Sequence, residues 1–130
     1  MESWEAAYLA GIIDGEGSIT LTKMHKGEHR RPCLTIPSTD LELLDYLQTL
    51  IGGVIIDKKN YKDSYTLIIK KKSNVFSILE QIYPYLRIMK KKKRALWILN
   101  YYDKVTPRNG KYNISTLKDK QQFEEKFFNL

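Results

Sequence analysis

The alternation of apolar and polar positions divides the chain into helical and extended stretches joined by short turns. Residues 6–13, AAYLAGII, are apolar on every side, and Ser3 is placed to cap a helix over residues 4–13 that Gly15 and Gly17 stop. From Ser18 the period becomes two, with Ser18, Thr20, Thr22 and Met24 on one side and Ile19 and Leu21 on the other. Lys26-Gly27-Glu28 supplies a turn, and Cys33, Leu34, Thr35 and Ile36 alternate again, which predicts a hairpin. Thr39 and Glu42 match a capping box ahead of Leu41, Leu43, Leu44, Leu47, Leu50 and Ile51, a helical spacing that Gly52-Gly53 ends.

A second hairpin is predicted over residues 54–59 and 65–70, with 60–64 as its polar turn. Ser73 is placed to cap a helix over 75–82 that stops before Pro84. Lysines 90–93 and Arg94 lead into another helix through Ala95, Leu96, Leu99 and Tyr102. Pro107 to Gly110 then turn the chain into a last amphipathic helix over about 115–128. Strands and helices in separate blocks joined by tight turns predict an α+β fold with one antiparallel four-stranded sheet backed by helices, plus a C-terminal helix. At 130 residues the chain is expected to be one domain with one core. The helix–hairpin unit comes twice, but the halves share no sequence and are not read as a repeat.

On such a sheet the alternation sorts the side chains. Ser18, Thr20, Thr22, Met24, Lys26, Arg31, Cys33, Thr35, Asp57, Lys59, Ser64, Thr66, Ile68 and Lys70 are expected to face outward. Ile19, Leu21, Leu34, Ile36, Val54, Ile56, Tyr65, Leu67 and Ile69 are expected to face the helices. The outward surface is polar and mildly basic.

Composition narrows the partners. Apolar residues at 42% and charged ones at 28% suit a folded globular chain. No apolar run approaches the ~18 residues of a membrane span, and the residues after Met1 are acidic and amphipathic, so no membrane partner and an intracellular location are expected. Cys33 is the only cysteine, which excludes an internal disulfide and a multi-cysteine zinc site. His25 and His29 flank Gly27, which argues against a shared helix and a metal pair. Lysine and arginine outnumber acids 22 to 15, a net charge of +7 that suits a polyanion.

The first helix has no polar face and must be covered all round. Ala7, Gly11 and Gly15, each four residues from the next, line one stripe with almost no side chain, so another helix could approach closely. Two arrangements meet that need. One packs the helix against its own sheet. The other pairs it with the same helix of a second copy through Ala7, Tyr8, Gly11, Ile12 and Gly15. Asp14 and Glu16 stand at the helix C-terminus, where the dipole disfavours negative charge, and two such carboxylates invite a compensating hard cation such as magnesium.

"LAGIIDGEG", residues 9–17, resembles the signature of the LAGLIDADG homing endonucleases, and residues 84–99 are similar to that family's stretch in which a basic residue reaches the cleavage centre. The resemblance implies an αββαββα core and, because a single motif is present, a homodimer. It further implies a magnesium-dependent endonuclease that makes a double-strand break in double-stranded DNA at a long pseudo-palindromic site. Glu16, with the Gly15 carbonyl beside it, is implied as the metal ligand, and Asp14 as a structural residue of the helix end. Counting from Pro84 puts the family's basic residue at Met89 or Lys90, and counting back from Ala95 puts it at Lys91, so Lys90 and Lys91 are the candidates. Where some members carry a water-orienting polar residue, Ile36 stands here, and Ser38 or ordered water would have to substitute. The outward sheet residues become candidates for reading the major groove, and Lys23, Lys58, Arg87, Lys104, Lys111, Lys118 and Lys120 for touching phosphates. Two rivals stand beside this: a cleavage-deficient member that regulates through DNA or helps splice intron RNA, and a non-enzymatic homodimer with incidental charge.

Overall fold

In the computed structural model, which describes residues 1–58 and 63–130, each sequence-predicted element is present, with shifted ends. The order is α1 (Ser3–Gly15), β1 (Ser18–Thr22), β2 (Arg31–Ser38), α2 (Leu41–Ile51), β3 (Val54–Asp57), β4 (Tyr65–Ile69), α3 (Lys72–Ile82), α4 (Met89–Tyr101) and α5 (Ile114–Phe128), with single 3-10 turns at Tyr83–Tyr85 and Asp103–Val105.

The caps explain the shifted ends. Ser3 lies inside α1, because Glu2 and Glu5 form the capping box one residue earlier. The Thr39–Glu42 box does not form: Asp40 is the N-cap of α2, and its N–H donates to the Ser38 hydroxyl at 2.9 Å. Lys71, not Ser73, precedes α3. Lysines 90–93 lie within α4. Asn113 caps α5, accepting the Thr116 N–H at 2.8 Å, so that helix starts at Ile114.

Both hairpins join through their inner strands, giving a four-stranded antiparallel sheet in the order β1-β2-β4-β3. One face carries Ile19, Leu21, Leu34, Ile36, Leu67 and Ile69, all buried. Against it pack Leu9, Ala10 and Ile13 of α1, Leu44 and Leu47 of α2, Val75, Leu79 and Ile82 of α3, Ala95 and Ile98 of α4 and Phe123 and Phe127 of α5, in one continuous core. Burying such side chains contributes roughly 1.5–3 kcal/mol each, and this term holds the helices to the sheet.

β3 corrects the sequence reading. Its three successive aliphatic residues, 54–56, do not reveal which of them face inward, and the pairing Ile55↔Leu67 decides. Ile55 turns toward the core, while Val54 and Ile56 lie on the opposite face, 62% and 43% exposed. Asp57, opposite Tyr65, belongs to the helix-side row and not to the outward one. Gly53 admits the chain to this edge strand. Its φ is +94°, and a Cβ there would come within 2.7 Å of the Ile68 carbonyl.

Candidate active site

Only half of α1 is covered by its own chain. Ala6, Leu9, Ala10 and Ile13 are buried, whereas Trp4, Ala7, Tyr8, Gly11 and Gly15 are exposed and Ile12 is half-buried. The glycines differ in what they serve. A Cβ on Gly17 would stand 2.8 Å from the Ile13 Cα, so the fold itself requires that glycine. A Cβ on Gly11 or Gly15 would meet nothing within 4 Å. Tyr46 of α2 extends the exposed strip, its ring edge-on to Tyr8 with centroids 6.1 Å apart. No local sequence signal tied Tyr46 to this surface.

At the far end of α1 two helix termini are cross-linked. The Asp14 carboxylate accepts the Arg87 N–H at 2.8 Å and the Ile88 N–H at 3.1 Å, just before α4 begins. In return Lys91, in the first turn of α4, donates its ammonium to the carbonyls of Ile13 at 2.6 Å and Asp14 at 2.8 Å. An acid at a helix C-terminus thus serves the N-terminus of another helix, and a lysine satisfies the carbonyls left open.

Glu16 follows as the C-cap of α1, its backbone N–H donating to Ile12 at 2.8 Å. Its side chain is exposed and, among the described residues, makes no hydrogen bond or ion pair. Glu16 and the Gly15 carbonyl offer the all-oxygen donors that suit a hard divalent cation. Among the described residues no cluster of three or more His, Cys, Asp or Glu side chains could hold a metal ion within one chain.

The other candidates for the chemistry separate. Lys91 reaches the tip of α1, but its ammonium is held by carbonyls; Lys90 is exposed in the first turn of α4. Arg94 donates to the Ile19 carbonyl at 3.1 Å and lies over the Phe127 ring, tying α4 to β1 and α5. Ile36 is wholly buried. Ser38 stands at the end of β2 with its hydroxyl already accepting the Asp40 N–H.

The outward face of the sheet keeps most of its expected members. Ser18 and Arg31 are exposed, Thr20, Thr22, Thr35 and Ile68 are half-buried, and Arg31 lies 3.7 Å from Glu28. Met24 and Lys26 lie beyond β1, Ser64 just before β4 and Lys70 just after it. Cys33 and Thr66 belong to this face but are buried, because both are short side chains on the two central strands, covered by longer neighbours. Burial raises the Cys33 thiol pKa, partly opposed by Lys70. Lys59 lies outside the described residues. Lys120, expected to touch phosphate, is fully buried instead, its ammonium 2.7 Å from the Thr106 hydroxyl and 4.1 Å from the centre of the Tyr102 ring. Among the described residues no helix is long and apolar enough to cross a membrane.

Three helices alternating with two hairpins, one bare sheet face and a first helix ending in a free carboxylate define the αββαββα class of α+β domain. The LAGLIDADG-like domain matches residues 3–127, and the chain belongs to that family. It is similar to the intron-encoded DNA endonuclease ai2b of Dictyostelium discoideum, 26% identical over 104 residues, or 78% of this chain. The chain spans 40% of the length of that relative. The fold matches that of the homing endonuclease I-CvuI, solved with the I-CreI target, with a TM-score of 0.78 at 21% identity over 96% of this chain and 80% of that one. It also matches the archaeal intron-encoded homing endonuclease I-Vdi141I complexed with DNA, with a TM-score of 0.68 at 16% identity over 99% of this chain and 85% of that one.

Proposed function

We propose that this chain is a site-specific DNA endonuclease that works as a homodimer on a long pseudo-palindromic site with Mg2+. The observation that carries the reading is the uncovered apolar strip of α1, ending in a free Glu16. Joining two such strips about a two-fold axis covers Trp4, Tyr8 and Ile12 and lets the helices close in over Gly11 and Gly15. It also brings two Glu16 carboxylates toward one axis, and a two-fold protein calls for a target of matching symmetry.

Glu16 and the Gly15 carbonyl would hold the metal. When bound, such a cation supplies charge neutralisation at the phosphate and an acidified water. The protein's own residues do the rest. Asp14 and Lys91 fix the direction in which the tip of α1 points. Lys90, exposed in the first turn of α4, would counter charge gathering on the phosphate. The outward sheet residues hold the duplex.

The relatives support the endonuclease reading: one is named a DNA endonuclease, and the solved structures are homing endonucleases bound to DNA. The engagement of Lys91 and the burial of Ile36 favour one alternative, a cleavage-deficient DNA-binding regulator or an intron RNA maturase of the same fold. Incubating the protein with Mg2+ and a randomised duplex pool separates the readings. Cleavage at one site, abolished in Glu16→Gln while binding persists, supports the endonuclease. Tight binding without cleavage supports the regulator, and binding of structured intron RNA in preference to DNA supports the maturase.

A further inference from the structure

The outward face of the sheet is chemically divided. Its β1–β2 half presents Ser18, Thr20, Thr22, Thr35 and Arg31, all able to hydrogen-bond. Its β3–β4 half presents Val54, Ile56 and Ile68, with Pro37 of β2 alongside. Two shallow hollows of about 340 Å³ each flank the pair Ile56 and Ile68. The lysines on their rims are Lys58 on one and Lys70 and Lys71 on the other. The strand positions of this face carry no Asp or Glu among the described residues. Thr66, lining one hollow, is 9% exposed, and its hydroxyl has no hydrogen-bond partner among the described residues.

We infer that the β3–β4 half of the sheet selects thymine, seating its 5-methyl groups in the hollows beside Ile56 and Ile68. This rests on the reading of the protein as a DNA-binding one. Aliphatic side chains cannot hydrogen-bond a base edge, and in the major groove the thymine methyl is the one apolar group a natural base presents. Lysines on the rims and the lack of acids at the strand positions of this face suit phosphates, which favours nucleic acid over a protein partner. RNA lacks the methyl, so this half of the sheet discriminates DNA from an RNA of the same sequence. In the other half Arg31 and Ser18 read by hydrogen bonding alone, and Thr20, Thr22 and Thr35 offer hydroxyls with one small methyl each.

The test uses the full chain and a duplex chosen from a randomised thymine-containing pool. That duplex is remade with deoxyuridine, first throughout and then one position at a time. Affinity should fall about four-fold for each thymine in one cluster of positions per half-site, the worth of one buried methyl-sized group. Uracil elsewhere should have a smaller effect. Ile56→Ser with Ile68→Ser, which leaves no methyl at either position, should bind the thymine and uracil duplexes alike. Equal affinity of the unaltered protein for both duplexes would overturn the inference while leaving DNA recognition standing. So would loss of self-association in the double variant, which would assign the face to a second copy. Failure of the pool to yield any preferred duplex would remove the DNA reading and this inference together.

Discussion

Asp14 and Lys91 each occupy the helix end the other's helix leaves open: the Asp14 carboxylate takes the N–H groups of Arg87 and Ile88, and the Lys91 ammonium takes the Asp14 carbonyl. Lys91→Met should therefore destabilise the fold by about 1–3 kcal/mol, the usual cost of leaving part-buried polar groups without partners. Asp14→Ala, whose N–H partners are exposed to water, should cost about 0.5–2 kcal/mol, the usual worth of a helix N-cap. Because the two act at one junction, the double variant should lose less than the sum, measured by urea unfolding of all four proteins. Additive losses would mean the two contacts are independent.

Gly11→Leu should leave the monomer's melting behaviour nearly unchanged, since a Cβ there meets nothing in its own chain. Sedimentation should nevertheless show that the variant has lost self-association. Gly17→Ala should do the reverse, lowering stability because its Cβ would fall 2.8 Å from the Ile13 backbone. If Gly11→Leu stays dimeric, α1 is not the contact.

Lys120 gives the fold a pH dependence. Burial lowers its pKa from 10.5 to about 8, opposed by Glu124 and Asp103 and aided by Lys72. Between about pH 8 and the ordinary lysine value the unfolded chain holds a proton that the folded chain has released. Stability should therefore rise with pH across this window and fall as pH drops through about 8. Burial also raises the pKa of Cys33 and of Tyr102, and each acts in the opposite sense above its ordinary value, Cys33 from about pH 9 and Tyr102 from about pH 10, so the range 8–9 is the one to measure. Lys120→Met should flatten the slope of denaturant midpoints in that range. A slope unchanged in the variant would assign it to another group.

The Cys33 thiol should resist alkylation in the native protein at neutral pH, because it is 3% exposed and burial raises its pKa. Reaction with iodoacetamide should accelerate on unfolding, making this cysteine a reporter of sheet opening. Rapid labelling of the native chain would show that the central strands part readily.

The element order was legible in the sequence because the period changes sharply at Ser18 and because glycines and prolines punctuate the chain. The helix tip was legible for a different reason: nine residues of fixed order carried it. What local pattern could not reveal was what depends on partners distant in the chain. Residues 54–56 are all aliphatic, so only pairing with β4 shows that Ile55 faces inward and Val54 and Ile56 outward. Lys120 sits on an amphipathic helix among charged neighbours, and only the approach of Thr106 and Tyr102 buries it. Counting from Pro84 and from Ala95 narrows the four consecutive lysines to Lys90 and Lys91, and only the fold separates those two, by bringing Lys91 to the α1 carbonyls.

β3 is an edge strand, with one row of backbone N–H and C=O groups outside the ladder and two large aliphatic side chains uncovered beside them. Such an edge invites pairing with another exposed strand when the protein is concentrated. Stocks prepared without ligand should cloud on concentration, and a short oligonucleotide that shields the strand, or a charged replacement at Val54, should keep them clear.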